Sequence, residues 1–331
     1  MNWIKKFLQT VAGKETTDWT FIEDIGADDA ADEPVTPDEC YVELYVESFK
    51  LSHERKFLTT FDGVVYAFIE TSRKGEKPAK LSAVTKPQEI SQIGTAELNK
   101  IITVNKRLFK VIPWRGNPLD LELGLFSVNS GNVASNIADY VVRLSNTISP
   151  GLTGSIDPFL PLVSEGLDLL AGQSDDVELE LAINTSLELN KSKKYALVQA
   201  PAKSVDKNNY SLSSEQGLLY KNEKVNDSYC VFSIRARADN PDWGAIESIR
   251  TSFANLKKAI SGGEKSEADD ALAGFRQQVL ICPDLIYNDQ LKLIKEAKNL
   301  VSLAFDSSIT AGKLQVVDFE KLELDSLALY D

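Results

Sequence analysis

The amino-acid sequence predicts an α+β protein, in which an antiparallel β-sandwich or barrel-like N-terminal domain is followed by a mixed strand part with a three-helix C-terminal layer. Two patterns carry this prediction. Apolar and polar residues alternate from Tyr41 onward and again in several later segments, as half-buried strands require. After Asn240, apolar residues instead recur at spacings of three and four, which is typical of helices with one buried face.

The length and composition are those of a globular protein with room for two cores. The chain has 331 residues, of which 43% are hydrophobic and 26% charged, and single cores rarely grow beyond about 250–300 residues. We therefore expect an amphipathic N-terminal helix segment, an acidic linker, a β-rich domain ending in two helices, and a strand and helix domain with a C-terminal helical bundle. In that order they cover residues 1–22, 23–39, 40–172 and 173–331.

The first residues carry an apolar stripe. Five side chains recur at helical spacing and share one face of a short helix: Trp3, Ile4, Phe7, Leu8 and Val11. A helix this short is unstable alone in water, so we expect the chain's own body, a groove in a partner protein or a membrane interface to cover its apolar face. Membrane contact is disfavoured because only Lys5 and Lys6 are available to attract anionic lipid, which repels the acidic linker behind them.

Strand patterns occupy much of the chain between the linker and Asn240. In the first of them Val42, Leu44 and Val46 share one face. Later strands are predicted at 63–71, 79–85, 101–112, 119–128, 177–189 and 195–200, and helices at 132–147 and 158–171. We also predict a hairpin in which residues 218–221 pair with residues 228–237. Periodicity leaves the choice between a sandwich and a barrel open.

Three helices are predicted towards the C-terminal end. The first starts at Asn240-Pro241, a capping residue followed by proline, and ends at Gly262-Gly263. The other two cover about 266–281 and 288–305. Their inward residues are predicted to be Ile246, Ile249, Phe253, Leu256 and Ile260 in the first helix, Leu272, Phe275, Val279 and Leu280 in the second, and Ile294, Ala297, Val301 and Ala304 in the third. A last alternating stretch, 314–319, is a candidate edge strand.

The titratable residues favour no familiar reaction, and we expect no cofactor and no metal site. His53, the one histidine, lies in a polar stretch with no cysteine beside it, and the three cysteines are widely separated without CxxC spacing. Neither of the usual phosphate-binding glycine motifs occurs. Pairs of acidic residues on shared strand faces are the candidate catalytic groups of a carboxylate-based hydrolase, although a solvated outer face explains them more simply. The pairs are Glu43 with Glu47, Asp120 with Glu122, and Glu178 with Glu180.

The net charge limits the classes of partner. At −13, with a pI near 4.8, the surface as a whole repels polyanions, so nucleic acid is not an expected partner. The best basic candidates, residues 191–194 and the pair Arg235 and Arg237, are explained by a strand edge or a turn. No apolar run is long enough to predict a membrane span, and unpaired cysteines fit a reducing compartment, so we expect a cytoplasmic protein.

Two loops are candidates for contact with a partner. One carries Trp114 and Arg115 and the other Trp243, large side chains of the kind enriched in interface hot spots; tryptophans that close the end of a sandwich are the alternative. We predict non-catalytic binding by an adaptor, scaffold or regulatory subunit of a larger assembly, with the N-terminal stripe as docking element. The alternatives are a carboxylate-based hydrolase, metal-assisted or not, and a peripheral membrane protein. A bacterial stress-response or antiviral-defence system is a prior expectation that no residue supports, and the oligomeric state stays open.

Overall fold

The computed structural model describes residues 19–25, 33–51, 55–56, 59–75, 77–85, 102–109, 111–129, 177–200, 206–213 and 217–305. The predicted N-terminal helix, the helices at 132–147 and 158–171, the stretch 314–319 and His53 lie outside these residues. The strands are β1 (Thr20–Glu23), β2 (Tyr41–Lys50), β3 (Arg55–Lys56), β4 (Thr59–Thr71), β5 (Ala79–Val84), β6 (Ile102–Arg107), β7 (Ile112–Pro113), β8 (Leu119–Asn129), β9 (Val177–Leu187), β10 (Lys193–Val198), β11 (Tyr210–Ser213), β12 (Gly217–Tyr220), β13 (Glu223–Lys224) and β14 (Tyr229–Arg237). The helices are α1 (Glu247–Gly262), α2 (Lys265–Ile281) and α3 (Tyr287–Phe305).

The strands form two larger antiparallel sheets and one small one. The first sheet has the order β1-β10-β14-β2-β6, with β7 also paired to β2. The second has the order β3-β4-β8-β9, with β5 also paired to β4, and β11, β12 and β13 form the third. Among the described strands, the two larger sheets remain separate and do not close into a barrel. This arrangement fits the predicted sandwich better than the predicted barrel.

One apolar core lies between the two larger sheets. Val42, Leu44 and Val46 of β2 point into it, as the alternating pattern predicts. They meet apolar residues of the other sheet, among them Val65, Ala67, Ile69, Leu121, Leu123 and Leu125. The predicted α+β class with antiparallel sheets and three C-terminal helices is therefore confirmed.

Each larger sheet combines strands from distant parts of the sequence. β14 lies between β10 and β2 in the first sheet, and β9 pairs with β8 in the second. Both sheets therefore contain strands from either side of the predicted boundary between residues 172 and 173. The predicted hairpin is wrong, because β12 pairs with β11 and β13 whereas β14 pairs with β10 and β2. Alternation identifies a strand but carries no information about its neighbour in the sheet.

Both ends of the predicted acidic linker are attached to the body of the protein. β1 runs antiparallel to β10, and Ile25 continues this pairing with a hydrogen bond of 3.0 Å from its backbone N–H to the carbonyl oxygen of Lys194. Further along, Val35 is buried and its backbone N–H donates to the carbonyl oxygen of Asn190 at 3.0 Å. Residues 26–32 between these anchors lie outside the described chain.

The three C-terminal helices agree closely with the sequence prediction. α1 buries Ile249, Phe253, Leu256 and Ile260 and ends at Gly262; its capping residue is Gly263, whose φ of 82° is left-handed and suits glycine. α1 starts at Glu247 rather than at Pro241, because a short turn over Trp243–Ala245 precedes it. The prediction that Leu280 points inward is wrong: Leu280 occupies the last turn of α2 and is exposed.

Candidate protein-binding surface

Asp289 joins the helices to the first sheet. It belongs to the first turn of α3 and is 3% exposed. Three donors from separate segments converge on its Oδ2 atom: the Tyr41 hydroxyl at 2.7 Å, the Asn240 backbone N–H at 3.0 Å and the Trp243 Nε1–H at 3.2 Å. The Tyr41 hydroxyl in turn accepts a hydrogen bond of 3.0 Å from the backbone N–H of Ile286. One carboxylate thus ties β2, the turn before α1 and the start of α3 together.

Burial and hydrogen bonding act in opposite directions on this carboxylate. Burial raises the pKa of Asp289, whereas the hydrogen bonds from Tyr41, Trp243 and Asn240 favour the charged form, and the net result is a pKa above the ordinary 3.8. Burial, followed by the charge and hydrogen bond of Asp289, raises the pKa of Tyr41 as well. The Tyr41 phenol therefore keeps its proton and remains a donor at neutral pH.

Two arginines of the sandwich hold the loop between α2 and α3. Arg115 donates through Nη2 to the carbonyl oxygens of Pro283 at 2.9 Å and Leu285 at 3.1 Å. Arg73 forms a buried ion pair of 2.7 Å with Asp284 in the same loop. These guanidinium contacts attach the loop to the sandwich at three consecutive residues, Pro283, Asp284 and Leu285.

Four exposed apolar side chains flank the loop that these arginines hold. Leu280 and Ile281 end α2, and Tyr287 and Leu291 lie in the first turns of α3. Their exposed fractions are 46%, 63%, 59% and 46%. Gln290 brings the two helix ends together, since its Nε2 atom lies 3.4 Å from the carbonyl oxygens of both Leu280 and Cys282. We call these four residues the α2–α3 corner.

The corner is unusual because the chain buries most of its large apolar residues. Leu303, at the other end of α3, is the remaining large apolar side chain that is strongly exposed among the described residues. Single exposed apolar residues are ordinary, whereas a group of them side by side is a candidate interaction surface. The sequence carries little signal for the α2–α3 corner. Helical spacing predicts that Leu280 is buried, and Ile281, Tyr287 and Leu291 fit no pattern that separates them from core residues.

The partner-binding candidates from the sequence have mixed placements. Trp114 and Trp243 are each 2% exposed, Trp114 in the core of the sandwich and Trp243 in the core of the helices. Neither indole faces outward, and Trp243 packs among the helices rather than at the end of the sandwich. Arg115 and Trp243 bind neighbouring segments, because Arg115 binds the α2–α3 loop and Trp243 binds Asp289 in the first turn of α3. The N-terminal stripe with Trp3, Ile4, Phe7, Leu8 and Val11 lies outside the described residues.

The paired carboxylates from the sequence are engaged separately. On the first sheet, Glu43 accepts from Arg107 at 2.9 Å and Glu47 accepts from Arg235 at 2.9 Å. On the second sheet the acceptor contacts are to neutral donors: Glu122 to Asn184 at 2.7 Å, Asp120 to Ser186 at 2.6 Å, and Glu180 to Ser228 at 2.7 Å. Of the side chains the structure describes, no group of three or more His, Cys, Asp and Glu could hold a metal ion.

The basic candidates from the sequence belong to the same ionic network. Arg235 lies over the Tyr45 ring at 4.0 Å and bonds Glu47, and Lys194 lies 3.6 Å from the same glutamate. Arg237 pairs with Asp239 at 3.0 Å. Acidic partners therefore offset these cations on the outer face of the first sheet, which suits a structural network better than a patch for polyanions.

The three cysteines are free and buried. Burial raises the pKa of Cys230 to about 12 and is also the largest cause of the raised pKa of Cys40. Protonated, buried thiols are poor nucleophiles. None of the helices described is both long and apolar enough to cross a membrane.

Comparisons with protein-family models, with curated proteins and with solved structures each find no match to this chain.

Proposed function

We propose that this chain is a non-catalytic binding protein, acting as an adaptor or regulatory subunit, and that the α2–α3 corner is its contact surface for a protein partner. The observation that carries the proposal is the display of Leu280, Ile281, Tyr287 and Leu291 on either side of a loop fixed by buried polar contacts. Apolar side chains that a partner covers on a preorganised backbone contribute affinity without a large ordering cost.

The energetics suit a specific but modest contact. Covering the exposed part of one such side chain contributes on the order of 1 kcal/mol, so four together supply a useful fraction of the binding free energy of a micromolar complex. Tyr287 adds an aromatic ring with a hydroxyl, the type of residue enriched at the centre of interfaces. The N-terminal stripe around Trp3 and Phe7 is a second docking element of the same proposal, supported by its spacing in the sequence.

A cytoplasmic location belongs to the proposal as well. Three free, buried cysteines suit a reducing compartment. Carboxylate catalysis receives less support, since the described acidic pairs each have a hydrogen-bonding or ionic partner of their own.

Affinity capture with matched variants tests the proposal. The full chain, the variant Ile281→Ser/Leu291→Ser and the control Leu303→Ser are each immobilised and exposed to extract of the native host. We expect the wild-type chain and the control to retain the same partner, and the double variant to lose it, with all three showing the same circular dichroism. A partner retained equally by all three proteins removes the corner from the binding surface.

A further inference from the structure

The helix segments that form the α2–α3 corner carry more basic than acidic residues, although the chain as a whole has a net charge of −13. Between residues 271 and 305 the cations are Arg276, Lys292, Lys295 and Lys298. We call these four residues the basic rim. Of the acidic residues in the same span, Asp284 and Asp289 are buried and held by the sandwich, which leaves Glu296 as the one acidic residue of this span outside the core. The chain concentrates positive charge on this surface against its own average.

Helix geometry brings the basic rim next to the corner. Arg276 precedes Leu280 by four residues on α2, and Lys295 follows Leu291 by four residues on α3, so each pair lies on one face one turn apart. Lys298 continues the α3 face by seven residues from Leu291. Lys292 lies over the Trp243 ring with its Nζ atom 5.9 Å from the ring centroid. A segment that lies across the corner therefore meets Arg276 on one side and Lys295 with Lys298 on the other.

We infer that the partner element which covers the α2–α3 corner is an acidic peptide segment with apolar side chains, its leucine-like residues on the corner and its carboxylates against the basic rim. This inference rests on the proposed function, because it assigns a chemistry to the partner of that surface. Charge complementarity of this kind sets the choice of partner and speeds association more than it strengthens the final complex.

The surface chemistry disfavours two other occupants. The N-terminal stripe of the same or a second chain carries Lys5 and Lys6 next to its apolar face, and these lysines repel the basic rim. A membrane of anionic lipid attracts the rim but repels a protein with a net charge of −13. An acidic protein segment is attracted to the basic rim, and it lacks the extended negative surface with which a membrane repels the rest of this chain.

The test uses two designed amphipathic peptides with the same leucine face, one with glutamate at its other positions and one with lysine. Fluorescence anisotropy measures binding of each to the full chain at low salt. We expect the glutamate peptide to bind, the lysine peptide to bind at least tenfold more weakly, and added salt to reduce the difference. The variant Lys295→Glu/Lys298→Glu is expected to weaken the glutamate peptide about tenfold. Lys258→Glu/Lys265→Glu, which makes the same change in net charge near the end of α1 and at the start of α2, is the matched control and is expected to leave binding unchanged.

The outcomes separate this inference from the proposed function. Equal binding of both peptides, weakened by Ile281→Ser/Leu291→Ser, keeps the corner as a binding surface and overturns the acidic partner. Binding of neither peptide overturns the acidic partner as well, and the capture experiment then decides the proposed function independently. The chain is also tested for sedimentation with vesicles that contain phosphatidylserine. If it binds these vesicles as tightly as the glutamate peptide or more tightly, the occupant of the corner is a membrane and the acidic peptide is overturned.

Discussion

The hydroxyl of Tyr41 donates a hydrogen bond of 2.7 Å to the Oδ2 atom of Asp289, across 248 positions of the sequence. The same hydroxyl accepts the backbone N–H of Ile286, so one phenol oxygen bonds both sides of the turn that begins α3. Tyr41 also packs with Val111 and Ile286 in a small apolar cluster. The helices are thus attached to the sheet by a buried polar contact inside an apolar surround, where an unpaired group is costly.

Replacing Tyr41 by phenylalanine tests this attachment. The change removes a donor to a buried carboxylate and an acceptor for a buried N–H, so we expect the free energy of unfolding to fall by about 2–4 kcal/mol. Urea denaturation followed by circular dichroism measures it. The same chemical change at exposed Tyr287 is the control, with an expected effect within about 0.5 kcal/mol. Equal effects of the two substitutions contradict the role assigned to Tyr41.

The raised pKa of Asp289 predicts a specific dependence of stability on pH. Because the folded protein holds this proton more tightly than the unfolded chain, the contribution of Asp289 to stability is fully present below the ordinary pKa of 3.8 and is lost as pH rises through the folded value. The difference in unfolding free energy between wild type and Asp289→Asn should therefore shift against the wild type as pH increases from about 3.5, and then level off. Urea titrations at several pH values measure this difference. A shift in favour of the wild type shows that the three hydrogen bonds outweigh burial.

Arg115→Lys should loosen the loop below the α2–α3 corner. A lysine ammonium can keep the contact with Asp38 but cannot hold the carbonyl oxygens of Pro283 and Leu285 with the same fork, so we expect a loss of about 1–2 kcal/mol. Arg237→Lys, at an exposed pair with Asp239, is the matched control and should cost less than about 0.5 kcal/mol. Hydrogen exchange is the second measurement, and we expect the amides near the loop to exchange faster in the Arg115 variant alone. Exchange at the wild-type rate contradicts the role of Arg115 in holding the loop.

Two glycines should respond in opposite ways to alanine. A Cβ atom at Gly63 overlaps the ring of Phe49, which is fully buried and cannot swing away, so Gly63→Ala should destabilise the protein by about 1–3 kcal/mol. A Cβ atom at Gly274, in the middle of α2, meets nothing within 4 Å. Gly274→Ala should therefore stabilise the protein by about 0.5–1 kcal/mol. Thermal unfolding of both variants checks the signs, and a stable Gly63→Ala protein shows that β4 and Phe49 can move apart.

Local pattern predicted the elements of this fold well, because alternation and helical spacing are properties of neighbouring residues. The stripe of α1 and the inward face of β2 follow directly from it. The burial of Glu43 could not be predicted from local pattern, because it depends on an ion pair with Arg107. Arg107 belongs to a strand that lies beside Glu43 only in the folded sheet. The same reason explains the missed start of α1. Trp243 is withdrawn from the helix to bond Asp289, which is 46 residues away.

The candidate surface was harder to predict than the fold. Leu280 continues the apolar spacing of α2, yet it is exposed in the last turn of that helix. Asp289 carried no signal either, since a lone acid near the start of an amphipathic helix resembles an ordinary favourable charge at a helix N-terminus. The attachment of the helices could not be predicted from the sequence, because Tyr41 and Arg115 are distant in sequence from the loop that they contact in the folded protein.

The interleaved strand order has a consequence for synthesis on the ribosome. β1 leaves the exit tunnel early, yet its described neighbour, β10, begins only at residue 193, and β2 waits for β14 to cover one of its edges. A nascent chain shorter than about 240 residues therefore carries unsatisfied strand edges. Polypeptides truncated before Arg237 should accumulate in inclusion bodies or on chaperones, whereas the full chain holds every described strand of its first sheet.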